Sequence, residues 1–192
     1  MRIHFAGASG TGKTTLADML AKELGYPLCP IGARDIATQM GLSSPYEADA
    51  SGRRKEFQEK LYAAKKEWED ARACFVSDRS FFDLLIYEAI HIPGHLDVGR
   101  WKDVWDYSDL IFYCPIGRFQ HLAGDPARNT DPRYHAHYQN LLVTTFEKTP
   151  GAVRHPIVEI QTFLDADVLQ EMKVTVVHAK LARLSTHWPS SQ

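Results

Sequence analysis

The segment Gly7-Ala-Ser-Gly-Thr-Gly-Lys-Thr14 constrains this chain more than any other. It follows a short apolar run, Ile3 to Ala6, and leads into TLADMLAKEL, where Leu16, Met19, Leu20 and Leu24 recur at helical spacing before Gly25. A strand over 2–6, a glycine-rich turn and a helix over 13–24 are therefore predicted. Three glycines and a lysine add little to a core. The glycines instead let the backbone wrap so that successive N–H groups face one anion. The following helix N-terminus adds a partial positive charge, Lys13 adds a full one, and the Thr14 hydroxyl can ligate Mg2+. Gly7, Ser9, Gly10, Thr11, Gly12, Lys13, Thr14 and Thr15 are the expected contacts to ATP. The motif specifies a nucleoside triphosphate and leaves the reaction open.

The rest of the chain supplies a scaffold of matching type. Residues 26–31, ACFVSD (73–78), DLIFYCP (109–115) and HPIVEI (155–160) read as further short strands. Helices are predicted near 33–40, over 53–72 with Phe57, Leu61, Ala64 and Trp68 on one stripe, over 81–91 and over 134–148. SSPYEADASG (43–52) reads as an exposed turn region, and 165–184 reads as helix despite its β-branched KVTVVHA. Strands alternating with helices imply an α/β fold with a parallel sheet covered on both faces. Gly7, Asp78 and Pro115 then meet at the carboxyl ends of the strands, where such sheets bind ligands. The 192 residues fit one domain over 1–184 with a small lid, and a frayed tail over 185–192.

Composition narrows the partners. A net charge of −2 gives no global reason for binding nucleic acid or an anionic membrane. Cys29, Cys74 and Cys114 lack metal spacing and read as reduced thiols. No apolar stretch approaches membrane-spanning length and the start is not a signal peptide, so a cytoplasmic protein is expected. Monomer and homodimer both remain open.

The strand at 73–78 ends in Ser77-Asp78-Arg79-Ser80. A carboxylate followed by a guanidinium at that position suits a metal and the transferred phosphates. A guanine-specifying NKxD is absent, and so are the adjacent strand-end acids of a motor ATPase. Taken in order, GASGTGKTT, Arg34 in IGARDIATQMG, FQEKLYAAKKEWE, FVSDRSFFDLLIYEA and GDPARNTDPRY resemble the small P-loop kinases of nucleosides and nucleoside monophosphates. The resemblance covers about residues 1–165. It is strongest toward the branch with nicotinamide-riboside-kinase-like and phage deoxynucleotide-kinase-like proteins.

That resemblance implies a five-stranded P-loop sheet of order 2-3-1-4-5 and a lid, about 117–138, that closes over ATP. It implies that Lys13 and the loop hold the β- and γ-phosphates, and that Thr14 and Asp78 hold Mg2+. Asp78 is also the candidate base, and Arg79 the candidate holder of an acceptor phosphate or of the transferring phosphoryl. Arg34 and Gln58 fall where the family binds its acceptor. In the lid, Arg128 is favoured over Arg133 as the arginine that neutralises the γ-phosphoryl, with Arg118 a further possibility. The sequence departs from the family at 30–35, where a strand-end glutamate is usual. Only Asp35 could replace it, so the base is Asp78 or Asp35. His135 and His137 read as exposed lid histidines rather than metal ligands. The expected reaction is transfer of the γ-phosphoryl of ATP to a deoxynucleoside monophosphate or nucleoside. The alternatives are a hydroxymethylated base or an end in DNA as acceptor, with Trp101, Trp105 and the lid cations lining the groove, or an ATP-dependent switch.

Overall fold

The computed structural model describes residues 1–92, 94, 104, 107–117, 129–148, 156–160 and 166–186. Within these residues β1 (Arg2–Ala6), β2 (Phe75–Ser77), β3 (Leu110–Tyr113) and β4 (Ile157–Glu159) form one parallel sheet of order β2-β1-β3-β4. His4 pairs with Ser77 on one side and Ile111 on the other, and Tyr113 pairs with Glu159. The helices are α1 (Lys13–Leu24), α2 (Ala33–Gln39), α3 (Glu47–Ala50), α4 (Arg54–Asp70), α5 (Phe81–His91), α6 (Pro132–Lys148) and α7 (Ala166–Thr186).

Strand alternation divides the core into two layers. Ile3, Phe5, Leu110 and Phe112 pack against Leu16 and Leu20 of α1 and Val168, Met172 and Val176 of α7. Ala6, Ile111 and Tyr113 face the other way, onto α2, α4, α5 and α6 through Ile36, Phe57, Phe82 and Leu142. Both faces are buried, which is why these strands read as continuous apolar runs. No helix among the described residues is long and apolar enough to cross a membrane.

Four sequence expectations change. The strand over 26–31 shrinks to a single bridge, Leu28 to Val76, with Cys29 N–H donating to Val76 O and Val76 N–H to Pro27 O. Pro27 and Pro30 lack N–H donors and stop the ladder there. Among the described residues the sheet therefore has four strands, with the bridge in the place of the expected edge strand. The turn region near 43–52 contains the short helix α3, anchored by buried Ala48. The expected lid overlaps α6, which starts at Pro132 and buries His135 and Tyr138. At the end of the chain α7 runs to Thr186, two residues into the expected tail, because Val168, Met172, Val176 and Ala179 keep one face buried. That packing overrides the β-branched preference of KVTVV.

The buried face of α4 also differs from the apolar stripe. Lys65 and Glu69 lie fully inside with Phe57 and Leu61, whereas Ala64 and Trp68 are half-buried. The Lys65 ammonium sits 2.7 Å from Glu69 Oε1, as an ionic contact without hydrogen-bond alignment, and donates to Ser77 Oγ. Glu69 Oε2 is 3.0 Å from His4 Nε2, and Ser108 Oγ is 3.0 Å from His4 Nδ1. Each charge has an opposite neighbour, the condition under which ionic groups are tolerated in a core.

Candidate active site

The phosphate-binding loop leaves β1 at Gly7, whose φ of 141° lies outside the usual range of side-chain-bearing residues. A Cβ there would come within 2.2 Å of the carbonyl oxygen of Cys114, the residue that follows β3. The loop can pass this backbone only as glycine. Gly7→Ala is expected to lower stability by about 1–3 kcal/mol through overlap and strain. Chemical denaturation would measure it, and an unchanged midpoint would contradict it.

Gly10 and Gly12 also take positive φ, and Gly12 enters α1 in the left-handed conformation. No side chain caps α1 and no acidic residue lies in its first turn. Its N-terminus is thus arranged for an anion. Lys13 is buried and folds back to donate to Ala8 O and, at 3.1 Å, to Thr11 Oγ1. Burial, with Arg79 nearby, pushes its ammonium down to about 8, against Asp78 and Asp83. Thr15 is exposed on the first turn of α1.

Asp78 follows β2 directly. Its Oδ2 accepts the Thr14 hydroxyl at 2.7 Å, while its Oδ1 is buried with no hydrogen-bond partner among the described residues. A hydroxyl and a carboxylate oxygen side by side, one oxygen still unengaged, fit a hard cation such as Mg2+ that keeps most of its shell for phosphate and water. Arg79 turns toward the loop, 3.4 Å from both Ser9 Oγ and Tyr87 Oη, with its guanidinium 5.2 Å from the Tyr87 ring centre.

The motifs do not reveal the carboxylate that ties these parts together. Asp83, fully buried, accepts Gly7 N–H at 3.0 Å and the Tyr138 hydroxyl through Oδ1. Its Oδ2 accepts Ser80 N–H at 2.8 Å and Ser80 Oγ–H at 2.5 Å. The Ser80-x-x-Asp83 spacing is a helix-capping box, so the local half of this role is present in the sequence. The long-range half, to Gly7 and to α6, is not.

A second group of residues is also absent from the sequence reading. Arg54 pairs with Asp49, at 2.7 Å from Nε to Oδ1, and lies 5.3 Å from the Phe57 ring centre. Asp49 Oδ2 is 3.3 Å from His91 Nδ1, and His91 Nε2 is 2.8 Å from the Tyr134 hydroxyl. Burial and Arg54 lower the His91 pKa, which keeps the ring neutral at pH 7. Nδ1–H then donates to Asp49 and Nε2 accepts the Tyr134 O–H. Tyr87 bridges the two groups, lying 4.7 Å from the Tyr138 ring, 6.4 Å from His91 and 3.3 Å from Ser9 Oγ.

Asp35 spends Oδ2 on Gly32 N–H at 3.0 Å, capping α2, and both it and Arg34 are exposed. Gln58 is buried beside Phe57, which belongs to the core. Arg133 is 92% exposed and pairs with Asp131 at 3.4 Å. His135 is buried, with Nε2 2.7 Å from Asn129 O, so it is not an exposed lid histidine; His137 is exposed. Asn129 N–H in turn donates to the Tyr46 hydroxyl at 2.8 Å. Arg118, Arg128, Trp101 and Trp105 lie outside the described residues.

The glycine loop, the Thr14–Asp78 pair and the parallel sheet together define a P-loop fold. The sequence pattern of the AAA domain family matches residues 2–164, and the chain belongs to that family. No curated protein matches the sequence at a significant level. Among solved structures, deoxyadenosine kinase from M. mycoides with bound dCTP is similar at TM-score 0.66 and 15% identity, over 93% of this chain and 100% of that one. Shikimate kinase from Aquifex aeolicus is similar at TM-score 0.60 and 14% identity, over 94% and 99%. NadR protein in complex with NR is similar at TM-score 0.57 and 17% identity, over 86% of this chain and 46% of that one.

Proposed function

We propose that the chain is an ATP-dependent kinase that phosphorylates a nucleoside or deoxynucleoside monophosphate. The observation that carries this reading is the adjacency of two sites. The loop, Lys13 and the Thr14–Asp78 pair form one wall, and Arg79 and Tyr87 lead from it to the polar set Asp49, Arg54, His91 and Tyr134. The likeness to small-molecule kinases, deoxyadenosine kinase among them, supports the same class.

In this reading the loop and Lys13 bind the β- and γ-phosphates, and Thr14 and Asp78 hold Mg2+. Mg2+, when bound, screens the phosphate charge. The acceptor oxygen, a sugar hydroxyl or a monophosphate oxygen, attacks the γ-phosphorus in line, the Asp78 carboxylate takes the proton of a hydroxyl acceptor, and the bond to the β-phosphate oxygen breaks to leave ADP. Asp78 is preferred to Asp35 as base because Asp35 is engaged in capping α2. Arg79 offers charge to the transferring phosphoryl from the Ser9 side of the loop. Arg128 remains the proposed lid arginine.

The test is ATP consumption with Mg2+ against nucleosides, their monophosphates, nicotinamide riboside and DNA, with products identified by mass. One small-molecule acceptor should gain one phosphoryl. Asp78→Asn should then lower kcat by about 10²–10⁴-fold. ATP binding without phosphorylation of any acceptor would overturn the proposal.

A further inference from the structure

At the opposite end of the sheet from the phosphate-binding loop, the strand starts frame an open hollow of about 660 Å3. Arg2 begins β1, Asp109 precedes β3, Tyr26 follows α1, Arg72 follows α4, and Lys180 and Arg183 come from the later turns of α7. The length of β1, about 16 Å at about 3.3 Å per residue, separates this hollow from Gly7. Its described lining carries four cationic side chains and one carboxylate, in a chain whose net charge is −2.

The single carboxylate is already shared. Asp109 is 6% exposed, with Oδ1 2.5 Å from Arg183 Nη1 and 3.8 Å from Arg2 Nη2. Its Oδ2 accepts the Arg2 backbone N–H at 2.7 Å. The arrangement fixes two guanidiniums beside one another at the rim of the sheet. Among the described residues, the other two cations are held by groups that do not cancel charge. The Arg72 guanidinium lies 4.0 Å from the Trp68 ring centre and donates to Trp68 O at 2.6 Å. Lys180 Nζ lies 5.2 Å from the Tyr26 ring centre. Aromatic faces and a carbonyl orient a cation while leaving its full charge for an anion.

Three features select the ligand. The volume suits one small molecule, since ligand pockets run about 300–1,000 Å3. Guanidinium forks match phosphate oxygens. The half-buried Tyr26, beside Lys180, brings an aromatic ring into the lining of the same hollow. We propose that this hollow is a second binding site, separate from the phosphate-binding loop, for a phosphorylated small molecule of the nucleotide class. Its phosphates meet Arg72, Lys180 and the Arg2–Arg183 pair, and its ring packs on Tyr26. The inference does not rest on the reaction proposed above.

Calorimetric titration of the full chain with ATP and with inorganic tripolyphosphate tests it. Wild type should bind two equivalents of ATP, and Lys13→Ala should retain one. In the Lys13→Ala background, Arg72→Glu with Lys180→Glu should weaken that remaining equivalent by at least about 10-fold, with tripolyphosphate competing for it. The same charge reversals with Lys13 intact should keep one ATP equivalent and an unchanged melting temperature, which shows that the variant folds. No binding to Lys13→Ala, or a second equivalent indifferent to the charge reversals, would overturn the site. Tripolyphosphate binding as tightly as ATP would overturn the ring contact, and polyglutamate competing as well as tripolyphosphate would overturn the assignment to phosphate.

Discussion

Replacing Lys13 by methionine is expected to lower phosphotransfer by about 10²–10³-fold while raising the melting temperature of the nucleotide-free protein. Lys13 is 4% exposed, and burial, with Arg79 beside it, pushes its pKa from the ordinary 10.5 to about 8. At about 1.4 kcal/mol per pH unit, the buried charge disfavours the folded state by about 3 kcal/mol. The unfolded chain keeps this proton up to pH 10.5, whereas the folded one releases it near pH 8. The penalty is therefore complete below pH 8 and fades as pH rises from 8 to 10.5. Methionine removes it at neutral pH, although Ala8 O and Thr11 Oγ1 lose their ammonium donor and the net gain is smaller. Activity falls because the bound triphosphate is what uses the charge. Thermal melts at pH 7 and pH 10.5 beside an ATP-consumption assay check both halves. Wild-type turnover, or the same gain in melting temperature at both pH values, would contradict the account. Because bound phosphates favour the protonated amine, ATP affinity of the wild type should also decline above about pH 8.

The second large effect is expected at Asp83. Asp83→Ala should destabilise the fold by about 3–5 kcal/mol and abolish measurable phosphotransfer. The carboxylate satisfies Gly7 N–H, Ser80 N–H and two hydroxyls, from Ser80 and Tyr138, inside the core. Alanine leaves these donors buried without acceptors, and each such loss costs about 1–3 kcal/mol. It also frees the start of the phosphate-binding loop from α5 and α6. Tyr138→Phe removes one donor and leaves the carboxylate three others, so a loss of about 0.5–1.5 kcal/mol is expected there. Denaturant unfolding of both variants separates these magnitudes. Equal losses would mean that the Gly7 and Ser80 contacts contribute little.

Some of this design is local and therefore readable along the chain. The strand, glycine turn and α1 follow one another without a break, so the motif and the helical apolar spacing fix Gly7, Lys13 and Thr14 in relation to each other. Asp78 is readable for the same reason, as the polar residue that ends an apolar run. Reading by periodicity fails where long-range partners replace the expected ones. Lys65 and Glu69 look like solvated charges on α4, but His4 and Ser77 on two strands receive them in the core. His135 looks like an exposed lid residue until the carbonyl of Asn129 is seen to hold it inside.

The sequence alone determined where the phosphate-binding loop motif lies and which strand-end carboxylate stands beside it, because each of these depends on neighbours a few residues apart. Only the tertiary structure decided what lies around that centre. It brings Asp83 under Gly7 across 76 residues, joins Asp49 to Arg54, His91 and Tyr134 from four separate segments, and engages Asp35 in a helix cap. Hydrogen bonds and ion pairs of this kind act over a few ångströms of space. Which side chains come that close is set by how the helices pack on the sheet, a property that no local spacing records.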